Sequence, residues 1–250
     1  MVTLLAVASK VESLLFLVGH RKTILILFFC TMEKVKALLF DFDGTLVNTE
    51  RFHFEMLNEL LEPYQGSVTW EEYTKVLMGV PFSKNSPLLI ERFKLPMTSG
   101  ALVERFAGHI EKAAQTHPIT PMPGVVEALM QLKGIRKAIV TGSGRESVTR
   151  SMRSLGWSDQ FEFWVTFDDV EKSKPHPESY LKAIEKLGVQ KEEVVVFEDT
   201  ENGTKSAKAA GLTCLAIQQI AGYHDRLTEA DEIFPSINEA MDFLREKELI

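Results

Sequence analysis

Cysteine is scarce in this sequence: two in 250 residues, Cys30 and Cys214. They form neither a CxxC pair nor a zinc-ligand spacing, so neither a disulfide framework nor a zinc centre is indicated. Reduced thiols in the cytoplasm are expected instead. Long hydrophobic runs are lacking too. The strongly apolar stretches "SLLFLVG" and "ILILFFC" fall short of the ~20 residues that a membrane-spanning helix needs. Basic charge is in the minority, and the net charge is −7 at pH 7. That argues against a nucleic-acid backbone as partner. "GSGRES" has a glycine-rich look, but it lacks a GK[ST] ending, which argues against a nucleotide P-loop. There is no internal repeat and no low-complexity tract.

Residues 1–31 stand apart. They hold both apolar stretches, split by His20 to Lys22, and a single acid, Glu12. No small-residue cleavage site of the secretory kind follows. Met32 opens "MEKVKALLFDFDGT", a natural start for a domain whose first strand carries its site. The expectation is that 1–31 is an extension, from a misplaced start or as a targeting segment, ahead of a folded domain that needs no membrane.

From Val35 onward short apolar runs alternate with amphipathic segments. "VKALLF" (35–40), "KAIVTG" (137–142), "FWVTF" (163–167), "VVVFED" (194–199) and "TCLAIQ" (213–218) read as buried strands. Strand–helix–strand alternation implies an α/β fold with a doubly wound parallel sheet of the Rossmann-like type. The alternation breaks between Glu50 and Pro118, where four segments have helical spacing. Ser99 reads as a helix N-cap there. The proline-rich "HPITPMPG" (117–124) is the return linker. The expected division is a core of 32–49 and 119–250, with an inserted all-helical cap over 50–118.

In such sheets ligands bind beyond the carboxyl ends of the strands. Asp41, Asp43 and Thr45 follow the first run, Thr141, Gly142 and Ser143 the second, and Glu198 and Asp199 the fourth. Four carboxylates gathered at one edge would repel one another. A hard divalent cation such as Mg²⁺ resolves this, and it takes such ligands alongside a substrate phosphate. A partner bearing phosphate is therefore compatible with the acidic balance. Lys172 and Lys174, in "KSKPHPE", supply positive charge. Residues i and i+2 of an extended segment point the same way. Asp41 and Asp43 are thus placed to flank one reacting atom, as nucleophile and general acid/base.

"DFDGTLVNTE", "VTGSGR", "KSKPHPE" and "FEDTENGTKSAKAAG" together resemble the four motifs of the haloacid dehalogenase superfamily, in its order and spacing, over Val35 to Gln218. The first and last are most similar to its β-phosphoglucomutase-like phosphatase branch. The resemblance implies that Asp41 attacks phosphorus and that Asp43 protonates the leaving oxygen and then activates water. It implies Mg²⁺ held by Asp41, Asp199 and the Asp43 carbonyl, with Glu198 in the first or outer shell. Thr141, with backbone N–H groups near Gly142 and Ser143, would hold the phosphoryl oxygens, and Lys174 would neutralise charge. Within the superfamily an acid at the position of Asp43 goes with phosphoester chemistry.

The cap is expected to choose the substrate. His53 sits where related mutases carry a histidine, and Arg145 opens a helix within reach of phosphate. "LMGVPFSKN" (77–85) resembles a cap loop that carries an arginine in the mutases; here Phe82 stands near its place, with Lys84 close by. Losing that two-donor fork disfavours a bisphosphate intermediate. The expected function is a monomeric, Mg²⁺-dependent phosphatase acting on a small phosphorylated metabolite, a sugar phosphate. A sugar phosphomutase and a non-catalytic phosphometabolite-binding protein are the alternatives.

Overall fold

The computed structural model describes residues 34–250, apart from Gly79, Pro81, Pro118 and Ile220. The expected extension over 1–31 and the start at Met32 lie outside the described residues, as does Cys30. In chain order the elements are β1 (Ala37–Phe40), α1 (Thr49–Leu61), α2 (Trp70–Glu72), α3 (Phe82–Phe93), α4 (Ser99–Ala113), α5 (Val125–Gln131), β2 (Arg136–Val140), α6 (Arg145–Leu155), β3 (Trp164–Val165), α7 (Glu178–Leu187), β4 (Val194–Glu198), α8 (Glu201–Ala209), β5 (Thr213–Ile217), β6 (Glu232–Phe234) and α9 (Ile237–Glu246). Among the described residues no helix is long and apolar enough to cross a membrane.

The chain divides into two compact units. One runs up to Asp41 and includes Pro123–Gly142 and Gln160–Ile250; the other takes Phe42–Met122 and Ser143–Asp159. Phe42 to Thr45 and α6 thus go with the helical unit, whereas boundaries drawn at residues 49 and 118 follow the sequence pattern.

The first unit is a six-stranded parallel sheet in the order β3-β2-β1-β4-β5-β6. This is the doubly wound order, whose direction reverses between β1 and β4. Five of the strands match the apolar runs read from the sequence. The sixth, β6, was not foreseen, because its three half-buried residues at the sheet's edge carry almost no pattern. Strand alternation sorts side chains to the two faces. Ala37 and Leu39, Ala138 and Val140, and Val194 and Val196 face one way, and pack with Tyr180, Ala183 and Leu187 of α7 and Ala207 of α8. Phe40 and Phe197 belong to the opposite face, where their rings stack 4.9 Å apart. β1, β4 and β5 are buried along their whole length, as strands covered on both faces require.

The second unit packs α1 to α4 around Leu57, Leu61, Tyr73, Leu77, Leu89 and Leu102. The apolar positions of α1 recur at Leu57, Leu60 and Leu61, one stripe of a helix. Its N-cap is Asn48, whose side chain accepts from the Arg51 N–H at 3.0 Å. α2 runs on into a π-helical turn, Tyr73–Leu77. The N-cap of α4 is Thr98 rather than Ser99: Thr98 is extended, and its hydroxyl accepts from the Ala101 N–H three residues on. Ser99 is instead the first helical residue, and its hydroxyl meets that of Ser86 at 2.6 Å.

Candidate active site

The register of β1 and β4 pairs Phe40 with Phe197. The ladder runs one step further, because the Asp41 N–H donates to the Phe197 carbonyl at 2.9 Å. Asp41 therefore leaves β1 beside Glu198, the last residue of β4, at the point where strand order reverses. By the same alternation Asp41 continues the Ala37–Leu39 face and Glu198 the Val194–Val196 face. Both carboxylates are buried, Asp41 at 6% and Glu198 at 0% exposure. A carboxylate in such a place needs partners.

Lys174 supplies them. Its Nζ donates to Asp41 Oδ1 at 2.5 Å, to Glu198 Oε1 at 2.6 Å and to the Val140 carbonyl at 2.8 Å. All three ammonium protons are thereby used. Burial works against this charge, yet the two carboxylates outweigh it and hold the lysine's pKa above its usual value. Lys172 stays exposed, its backbone N–H donating to Glu178 Oε2. Of the two lysines in "KSKPHPE", Lys174 alone joins the carboxylates.

Glu198 accepts five hydrogen bonds. Besides Lys174, Oε1 accepts from the Tyr180 hydroxyl at 2.8 Å. Oε2 accepts from the Asp199 N–H at 3.1 Å, the Thr200 N–H at 3.4 Å and the Thr200 hydroxyl at 3.1 Å. Thr200 also caps α8, accepting from the Gly203 N–H at 3.1 Å. Gly203 is required by closeness: a Cβ built there would lie 1.9 Å from the Glu198 carboxyl group. Burial, followed by the charges of Glu198 and Asp41, pushes the Tyr180 phenol well above its ordinary pKa, so it stays a donor. Asp41, Glu198 and Asp199 each offer a carboxylate oxygen, all within 4.8 Å of one another. Hard oxygen donors at this spacing suit Mg²⁺. Thr141, just past β2, is buried, and its N–H donates to the Val165 carbonyl at 2.9 Å. Gly142 is exposed, and a Cβ placed on it would meet nothing within 4 Å.

The remaining predicted residues belong to the helical unit. Asp43 is half-buried and accepts from the Ser143 hydroxyl at 2.5 Å. Gly44 turns the chain after it with φ 82°, a conformation suited to glycine. Its N–H donates to the Val47 carbonyl, and Thr45 beside it is fully buried. Arg145 is exposed at the start of α6, and Lys84 is exposed in the first turn of α3. His53 lines a cavity of about 360 Å³ together with Glu50, Tyr73, Asn85, Phe82 and Phe106. There the Tyr73 hydroxyl donates to Glu50 Oε2 at 2.7 Å. Asn85, also buried, donates to the Leu77 carbonyl at 2.9 Å. Among the described residues, no lysine or arginine lines this cavity.

Sequence reasoning missed Tyr180, Thr200 and Gly203. Tyr180 reads as one more member of the α7 stripe with Ala183, Ile184 and Leu187. The available signal was chemical: a phenol in an otherwise apolar stripe needs a polar partner.

The chain matches the family model of haloacid dehalogenase-like hydrolases over residues 38–217. It is 33% identical over 183 residues to a phosphorylated carbohydrates phosphatase of Thermotoga maritima, an alignment covering 71% of this chain and 82% of the relative. A hydrolase of the same family from Deinococcus radiodurans, solved with bound phosphate and sodium, superposes with a TM-score of 0.72 at 25% identity, covering 87% of this chain and 98% of that one. CbbY from Rhodobacter sphaeroides, solved in complex with phosphate, gives a TM-score of 0.59 at 27% identity, covering 81% and 94%. A strand-end carboxylate cluster on a doubly wound sheet and a match spanning all four motifs lead to one conclusion: the chain belongs to the haloacid dehalogenase-like hydrolases, in their phosphatase branch.

Proposed function

We propose that the protein hydrolyses a small sugar phosphate through an aspartyl-phosphate formed on Asp41, with Mg²⁺ as cofactor. The observation that carries this reading is the buried Asp41–Lys174–Glu198 cluster beside Asp199 at the switch point of the sheet. Asp41 keeps one oxygen on the lysine; the other is the nucleophile. It forms a bond to phosphorus as the bond to the leaving oxygen breaks. Asp43 gives that oxygen its proton. It then takes a proton from the water that attacks the aspartyl-phosphate, releasing inorganic phosphate and restoring Asp41. The Ser143 hydroxyl holds the Asp43 carboxylate in one orientation for both transfers. Thr141, with the N–H groups at Gly142 and Ser143, holds the phosphoryl oxygens, and Lys174 balances the charge of nucleophile and phosphoryl group.

Asp41, Asp199 and the Asp43 carbonyl would hold Mg²⁺, with Glu198 in the outer shell because its oxygens are already engaged. When bound, the ion polarises the phosphoryl group and neutralises its charge. Arg145 and His53 are assigned to the substrate, Lys84 to its outer edge. The carbohydrate assignment leans on the Thermotoga relative. Hydrolysis is preferred over transfer within a bisphosphate because Phe82 stands near the place where the mutase cap loop carries an arginine, so its two-donor fork is missing. The free, buried thiol of Cys214 is in keeping with a reducing, cytoplasmic setting.

The test is phosphorus NMR of the protein with Mg²⁺ and a pooled panel of sugar and polyol phosphates. One ester vanishing as inorganic phosphate appears is the expected result. Conversion of one ester into another without free phosphate would establish a mutase. Saturable binding without turnover would establish a binding protein.

A further inference from the structure

We infer that Tyr180 is a positioning residue for this reaction: through Glu198 it fixes where the Lys174 ammonium stands against Asp41. The inference rests on the aspartyl-phosphate reading for its effect on turnover. The clamp itself rests on geometry within the sheet unit.

Tyr180 is fully buried, and its hydroxyl has one acceptor, Glu198 Oε1. The same oxygen accepts from Lys174. Two donors on one oxygen locate each other: the phenol fixes the carboxylate, and the carboxylate fixes the ammonium. The ring adds a second restraint, because Lys174 Nζ lies 5.1 Å from its centroid, within range of a cation–π attraction. A lysine is otherwise a point charge on a flexible four-carbon stem with freely rotating donors. Here each of its three donors is committed, and the phenol braces the acceptor that does not belong to the nucleophile or to the backbone. An ionised carboxylate has about four lone-pair sites. Glu198 meets five donors, from Lys174, Tyr180, Asp199 and twice Thr200. It is therefore saturated, and acts through Lys174. Without the phenol hydroxyl, Oε1 keeps the lysine alone, the carboxylate is anchored only through Oε2, and the ammonium follows whichever carboxylate moves.

Tyr180→Phe keeps the ring and removes the hydroxyl. With folding checked by circular dichroism, kcat is expected to fall roughly 10-fold while KM changes by less than about 2-fold. A purely structural tyrosine would lower the melting temperature and leave kcat alone, and that result would overturn the inference. The second readout needs neither substrate nor metal: the ¹⁵Nζ signal of Lys174, assigned by its loss in Lys174→Arg. In the wild-type protein a slowly exchanging ammonium is expected, with proton exchange rising about 10-fold or more in Tyr180→Phe. A wild-type Lys174 that exchanges at the rate of the exposed lysines would overturn the clamp whatever the variant does. If the wild-type protein turned over no phosphoester, the phosphatase reading would fall, and the Lys174 signal would still decide the clamp.

Discussion

Two tyrosine–glutamate pairs, one in each unit, have almost the same bond and opposite settings. In the sheet unit Tyr180 donates to Glu198 at 2.8 Å; in the helical unit Tyr73 donates to Glu50 at 2.7 Å. Glu198 is fully buried and shared with a lysine. Glu50 is half-buried at a cavity whose described lining holds no lysine or arginine. The first carboxylate is consumed by the protein and serves to hold another group. The second lines a cavity and accepts there from Tyr73. A bond length says little about a residue's task; what competes for the remaining lone pairs says more.

The largest effect separating the two regions is expected at Asp41. Asp41→Asn should cut turnover by at least ~10³-fold, measured as phosphate release, with the fold kept and Mg²⁺ binding partly retained. Full activity would refute the nucleophile. Next, Lys174→Met leaves two buried carboxylates facing one another. Removing one partner of a buried pair costs about 3–5 kcal/mol, which urea unfolding will read, and turnover should fall with it. Gly203→Ala tests closeness rather than charge. Its methyl collides with the Glu198 carboxyl, and overpacking of this kind costs about 1–3 kcal/mol. A variant as stable as the wild type would mean that α8 shifts freely.

The smallest effect belongs to the helical unit. Tyr73→Phe removes one hydrogen bond, a loss of about 1 kcal/mol, and should alter KM more than kcat. Burial, followed by the charge of Glu50, holds the Tyr73 phenol above its usual pKa. The folded chain thus keeps this proton to higher pH than the unfolded chain. The stabilisation is whole below the unfolded tyrosine's value of ~10 and fades as pH rises through the folded value. Phenolate absorbance checks this. Of the four tyrosines, Tyr73 should stay silent in the native protein at about pH 11, one unit above that unfolded value, so Tyr73→Phe changes the titration of the unfolded chain and not of the native one.

Much of this was legible in the sequence, for reasons that can be named. Buried parallel strands leave continuous apolar runs, so β1, β2, β4 and β5 stand out, and the residues that follow such runs fall at one edge of the sheet. That is why Asp41, Glu198 and Asp199, whose carboxylates lie within 4.8 Å of one another, could be gathered from the order of residues alone. β6 escaped because an edge strand of three residues needs little apolar character. Thr98 and Ser99 are both good capping residues, and only backbone geometry separates them. Tyr180 escaped because strand-end motifs draw attention to the strand that carries them, whereas its role depends on which helix packs on that face. The cavity around Glu50 and Tyr73 escaped because its walls come from α1, α3, α4 and the turn after α2, far apart in sequence and joined only by packing.

The central claim is a covalent bond between phosphorus and Asp41. It is tested most directly by quenching the protein during turnover, reducing with borohydride and sequencing its peptides by mass spectrometry. An acyl-phosphate is reduced under these conditions, so homoserine at position 41 is the predicted product. Turnover with aspartate intact at 41, or with the reduced residue at 43 instead, would contradict the account.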